Sequence, residues 1–214
     1  MLKELFENCA YNIEYKQVGD SVNYAFVEEG KTLYVYFQGS NSTTDWIRNF
    51  LFTERVYKMF RVHKGFYTAY SEARSLLLNK IYERDEKANF KWLKIVIVGY
   101  SHGGALAQLF LEDCVFHRPD IKSNILGYAF ETPRCLKVPT KYRHLWENLT
   151  IIRNGCDLIT HLPPAIFGYN HLGTMVKIKG DTKLVDIKLP KMIKYHYAQC
   201  VLDGLEKLGD TNKK

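Results

Sequence analysis

Several features are missing from this chain, and each absence argues against a class of protein. Its five cysteines, Cys9, Cys114, Cys135, Cys156 and Cys200, are odd in number, lie far apart and never form a C-x-x-C pair. That argues against a disulfide framework and against a thiolate zinc site. No run of about 18 apolar residues occurs, so no transmembrane segment is expected. Met1 to Asn8 carry Glu4 and Glu7 and lack the apolar core of a secretory signal. There is no internal repeat and no low-complexity linker. Lys and Arg outnumber Asp and Glu by 30 to 23, a net charge of +7. Such a balance suits anionic partners, but the lysines are scattered, without the basic cluster of a nucleic-acid tail. A solvated basic surface, open to transient contact with an anionic lipid surface, is expected, and no nucleic acid. The unpaired cysteines and the missing leader suggest a reducing, cytoplasmic setting, or a chain trimmed of its signal. Length and a hydrophobic content of 46% fit one domain over residues 1–214, with a polar tail frayed over 209–214.

What is present centres on Leu93 to Leu109. An apolar run, Leu93 to Val98, leads into Gly99-Tyr100-Ser101-His102-Gly103-Gly104 and then into small apolar residues suited to a helix packed close on a sheet. In a strand-turn-helix setting, G-x-S-x-G reads as a nucleophile elbow. Around it, Asn23–Val27 and Thr32–Phe37 read as a hairpin. Gly65–Tyr82 carries Phe66, Tyr70, Ala73, Leu77 and Ile81 on one helical face. A helix is expected over Gly104–Val115, a strand over Ile125–Phe130, a helix over Tyr142–Leu149 and a strand over Thr150–Arg153. Met175–Ile178 and Leu184–Ile187 read as a second hairpin, and Tyr195–Leu208 as a closing helix. Alternating strands and helices in the middle of this order predict an α/β class fold: an α/β-hydrolase-like, mostly parallel central sheet with helices on both faces and antiparallel edge strands.

A serine hydroxyl needs a histidine to take its proton and an acid to orient that histidine. In this fold both follow the serine in the chain. Asp157, in the Gly-containing loop after Thr150–Arg153, stands where the acid should, although an Asx turn would also explain it. Asp120 and Asp181 read as turn formers, and Asp186 as a strand residue. Among the later histidines, His161 lies too near Asp157 in sequence to come from a separate loop. His196, after the last strand, is favoured as base over His171. The oxyanion needs two donors. The backbone N–H of His102 is one, and the loop Gly39-Ser40 is the expected source of the other.

These residues resemble the fungal-type (class 3) lipase family over about Thr32 to Gln199. Phe37-Gln38-Gly39-Ser40 resembles its F-R-G-[ST] segment. Asp45-Trp46 with Asn49 resembles D-W-x-x-[DN], and Val62-His63-Lys64-Gly65-Phe66 resembles V-H-x-G-F. Gly99 to Ala105 resembles G-H-S-L-G-G-A, and Thr132-Pro133-Arg134 resembles x-P-R. Asn154 to Asp157 with Leu162-Pro163-Pro164 is similar to its acid loop, and Tyr195-His196-Tyr197 to its base region. The resemblance implies Ser101, Asp157 and His196 as a catalytic triad, Ser40 and His102 at the oxyanion hole, and a lid or its hinge near Ser42 to Leu51. Trp46, Ile47, Phe50 and Leu51 are the candidate lid or acyl-site residues. It places His63 and His171 in structural positions. Gln38, Tyr100 and His102 depart from the family's usual Arg, His and Leu, so a titratable side chain is expected to border the acyl site.

The function these readings imply is a serine ester hydrolase, a triacylglycerol lipase or carboxylesterase acting on an acyl ester or lipid substrate through an acyl-enzyme, with no metal and no cofactor. The alternative is a non-catalytic lipid or membrane-surface binding protein on a hydrolase scaffold. Covalent labelling of the serine separates the two.

Overall fold

The computed structural model describes residues 1–39 and 53–211. Ser40, Trp46, Ile47, Phe50 and Leu51, with the expected lid segment Ser42 to Leu51, lie outside the described residues. Seven strands form one sheet: β1 (Lys16–Val18), β2 (Val22–Glu29), β3 (Thr32–Phe37), β6 (Lys94–Tyr100), β7 (Ile125–Phe130), β9 (Leu149–Asn154) and β10 (Thr174–Ile178), in that spatial order. β1, β2 and β3 pair antiparallel, and every pairing from β3 onward is parallel. The predicted first hairpin is present, with Glu29 opposite Thr32.

The central strand β6 is apolar on both faces because both faces are covered. Ile95 and Ile97 join a core with α2 (Lys64–Ile81) and α3 (His102–His117), whereas Val96 and Val98 join a second core with α1 (Leu2–Glu7) and α5 (Ala198–Thr211). The face predicted for α2, from Phe66 to Ile81, is buried as expected. α3 is buried at every position from His102 to Val115. Its buried acid Asp113 is bonded on both oxygens, as buried charged groups usually are. Asp113 accepts from Arg74 at 2.7 Å and Lys58 at 2.8 Å, and Tyr70 donates its hydroxyl to the same carboxylate.

A second, antiparallel sheet of β4 (Glu54–Tyr57), β5 (Phe60–His63) and β8 (Leu136–Lys137) was not anticipated. It brings the Val62-His63 segment beside the Thr132-Pro133-Arg134 segment, with the His63 N–H donating to Cys135 O at 2.9 Å.

Three expectations are corrected. The second hairpin does not form. β10 pairs parallel with β9, and Thr182–Leu184 is a single 3₁₀ turn whose start is bonded by the Asp181 carboxylate. The reason lies at Gly180, where a Cβ would come within 1.7 Å of Cys200 O; the chain passes beneath α5 instead of turning back. Residues Thr140–Trp146 form a 3₁₀ helix rather than an α-helix running to Leu149, anchored by Trp146 Nε1 donating to Gln108 O at 2.9 Å. The closing helix begins at Ala198 rather than Tyr195, after a separate short helix α4 (Lys191–Lys194), and α5 runs to Thr211.

α1 is held mainly by Phe6, which is fully buried between Tyr100 at 5.2 Å and Phe130 at 5.0 Å between ring centroids. Phe6→Ala is expected to cost about 3–5 kcal/mol, measured by urea unfolding. A loss below about 1 kcal/mol would mean that α1 is not docked against the elbow strand.

Candidate active site

β6 ends at Tyr100 and α3 begins at His102, which leaves Ser101 alone in the turn with φ 56° and ψ −122°. A left-handed φ is strained for a residue with a Cβ and persists only where its surroundings enforce it. Here they do. The Ser101 N–H donates to Phe130 O at 2.9 Å, and the Ser101 carbonyl accepts from Gly104 N–H at 3.0 Å. A Cβ on Gly99 would lie 2.2 Å from Gly103 O, and one on Gly103 would lie 2.2 Å from Phe37 O. Strand, helix and the end of β3 thus touch backbone to backbone, and only glycine fits at the two contacts. Gly39 passes directly beside the serine: a Cβ there would meet Ser101 Cβ at 3.2 Å. The loop expected to carry the second oxyanion donor therefore approaches the elbow, although Ser40 itself lies outside the described residues. α3 starts at His102, so its first-turn N–H groups have no carbonyl of their own helix to bond, and the positive end of the helix faces the turn.

The two other predicted residues converge on this point. Ser101 Oγ donates to His196 Nε2 at 2.8 Å, and His196 Nδ1 donates to Asp157 Oδ2 at 2.6 Å. All three side chains are buried. Asp157 sits three residues past β9, and its Oδ1 accepts the Ile159 N–H at 3.0 Å. His196 lies in the break between α4 and α5, its N–H bonded to Ile193 O at 3.0 Å. The broken helix is what frees the imidazole to reach across to the elbow.

Two side chains fix this arrangement that sequence reasoning had given no such role. Tyr100 donates its hydroxyl to the carbonyl of His196 and stacks on its ring, 5.5 Å between centroids. Asn154 donates from Nδ2 to Tyr195 O at 2.8 Å and accepts Gly180 N–H at 2.7 Å, tying the acid strand to the base loop. Their positions were visible in the elbow and acid-loop motifs; their partners, 96 and 41 residues away, were not. Arg134 braces the acid loop by donating to the carbonyls of His161 and Pro163.

The competing histidines do not reach Ser101. His161 Nδ1 bonds Asp157 O at 2.8 Å, and His171 Nε2 bonds Thr160 O at 2.8 Å. The His102 ring is buried and packs on Phe66 at 5.6 Å. Burial, with neighbouring His63, pushes its pKa from 6.5 down to about 4. At neutral pH it is therefore an uncharged aromatic surface in a place where a titrating group was expected.

A family model described as lipase (class 3) matches residues 34–167. The chain belongs to the class 3 lipase family. It is 31% identical over 150 residues to a lipase of Rhizomucor miehei, covering 67% of this chain and 40% of that protein. It is 27% identical over 216 residues to phospholipase A1-IIgamma of Arabidopsis thaliana, covering 86% of this chain and 50% of that protein. The chain thus spans about two fifths to one half of the length of these relatives. Among solved structures, the Rhizomucor miehei triacylglyceride lipase matches with a TM-score of 0.69 at 23% identity, over 90% of this chain and 82% of that one. A triacylglycerol lipase described as having a serine protease triad at its catalytic centre matches with a TM-score of 0.65 at 26% identity, over 80% and 68%. The class 3 lipase fold, an α/β-hydrolase sheet, is therefore the fold of this chain.

The buried histidines make stability depend on pH. Burial depresses both His102 and His171 from 6.5 to about 4. Between those values the unfolded chain binds protons that the folded chain does not, so stability is full above pH 6.5 and falls as pH drops toward 4. Melting temperature against pH should show this fall, and His102→Gln and His171→Gln should each flatten it. An unchanged slope in both variants would contradict the assignment.

Proposed function

We propose that this protein is a serine ester hydrolase acting on the acyl esters of glycerol lipids. The observation that carries the reading is the continuous hydrogen-bonded chain from Ser101 through His196 to Asp157, set on a strained elbow. With Nδ1–H held by Asp157, Nε2 of His196 is the free base and accepts the Ser101 proton as Oγ attacks the ester carbonyl. The imidazolium that forms is stabilised by the Asp157 carboxylate. The developing oxyanion meets the His102 N–H at the start of α3 and a second donor from the Gly39-Ser40 loop. Collapse expels the alcohol, which takes its proton from His196, and water then attacks the acyl-Ser101 ester by the same route. The relatives named lipase and phospholipase A1 support glycerol lipids as the substrate class.

Contact with an anionic lipid surface belongs to the same reading. Lys177, Lys179, Lys183, Lys188 and Lys191 are exposed on the segment that leads into His196. Among them Leu184, Ile187 and Met192 are also exposed. Basic and apolar groups side by side suit a headgroup layer with acyl chains beneath it.

Ser101→Ala should abolish turnover of p-nitrophenyl acyl esters and covalent labelling by a fluorophosphonate while leaving the unfolding midpoint intact. Undiminished turnover in that variant would remove the nucleophile assignment. Asp157→Asn should lose about 10⁴ in turnover, and a loss below about tenfold would point to another acid. For the surface, flotation with phosphatidylglycerol vesicles should show binding that weakens with salt. The double variant Lys183→Glu, Lys188→Glu should weaken it further, by about 1 kcal/mol or more for each lysine. Binding that ignores both salt and charge would exclude this segment.

A further inference from the structure

The residue after β7, Glu131, violates three ordinary preferences at once. Its backbone is left-handed at φ 46°, a region that disfavours a side chain. Its carboxyl is completely buried, at 0% exposure. Neither carboxyl oxygen has a partner within ordinary hydrogen-bond geometry among the described residues. A glycine would satisfy the backbone, and an apolar side chain would satisfy the burial. Strained, buried polar residues of this kind collect where chemistry needs them.

Its position says what for. One carboxyl oxygen of Glu131, one of Asp157 and one ring nitrogen of His196 all lie within 4.8 Å of one another. Two buried carboxyls at this separation cannot both ionise. Asp157 is the one held by donors: it accepts the Ile159 N–H and the His196 Nδ1–H. Glu131 has no comparable set of donors. Burial first, and then the Asp157 charge, hold its proton on well above the ordinary carboxylate range, against the smaller pull of the Asn154 N–H and the Arg153 guanidinium. Among the described residues the buried Tyr100 hydroxyl also faces it, itself kept neutral by burial.

We propose that Glu131 is a positioning residue for the base: as a neutral acid it directs its O–H at the Asp157 carboxylate, and with the Ile159 N–H it fixes the orientation in which Asp157 holds His196. No proton is transferred to substrate by Glu131. This role rests on the triad reading above.

The test compares the full chain with Glu131→Gln, which keeps a neutral donor, and Glu131→Gly, which removes the donor and relieves the backbone. Infrared difference spectra of wild type against Glu131→Gln at neutral pH should show the loss of a protonated carboxylic acid band; the loss of carboxylate bands instead would overturn the proposal. With p-nitrophenyl butyrate, Glu131→Gly should lose about tenfold in kcat at unchanged KM. Its melting temperature should be equal or higher. Glu131→Gln should restore the rate. A Glu131→Gly enzyme with the wild-type rate, or a Glu131→Gln enzyme as slow as Glu131→Gly, would overturn it. If wild type turns over no ester, the functional reading fails by itself, and the infrared band still decides whether Glu131 and Asp157 share one charge.

Discussion

The contact on which the site depends is between main chains, not side chains. At Gly99 and Gly103 the elbow strand, the helix behind it and the end of β3 approach so closely that a methyl group at either position would sit 2.2 Å from a carbonyl oxygen. That approach forces Ser101 into a left-handed conformation and brings Gly39 alongside it. Much of the remaining architecture keeps the contact closed. α3 is buried at every position from 102 to 115, so it cannot back away without opening both the sheet and the polar cluster around Asp113. Phe6 closes the opposite face, against the side chain of Tyr100, the residue that precedes Ser101.

Against this rigid elbow, His196 and Asp157 are carried on loops, and loops must be tied to be accurate. The ties are few and specific. Asn154 links the end of the acid strand to the base loop through Tyr195 and to the chain after β10 through Gly180. Tyr100 links the elbow itself to His196. Each bond is made to a main-chain group, which fixes backbone position whatever side chains flank it. Tyr100 makes its tie through a phenol, a group that the family's usual histidine at this position does not have.

How much of this was legible in the sequence follows from the range of the forces involved. The elbow, the α2 face, β7 and the first hairpin are written in local patterns: glycine spacing, a helical apolar stripe, β-branched runs. They appear where they were read. The chain order of Ser101, Asp157 and His196 followed from topology, and their side chains do meet. What failed depended on distant contacts. Leu184–Ile187 has strand-like composition, but Gly180 lies under α5 and the chain has no room to fold back. The small sheet with Leu136–Lys137 joins segments more than seventy residues apart in strands too short to carry a pattern of their own. Glu131 gave no signal, because a glutamate after an apolar strand looks like a surface turn. Its burial and left-handed backbone exist only once β9 and the acid loop are in place.

The correction at β10 has a consequence for how the molecule meets other copies of itself. As the last strand of the sheet, β10 offers one row of main-chain donors and acceptors with no partner strand among the described residues. An unguarded row of this kind is a template onto which another extended chain can add. Here the strand is only five residues long. Lys177 lies within it and Lys179 just beyond it, both exposed. A second copy approaching edge to edge would bring the same charges face to face. The lysines therefore make continuous sheet growth between molecules costly.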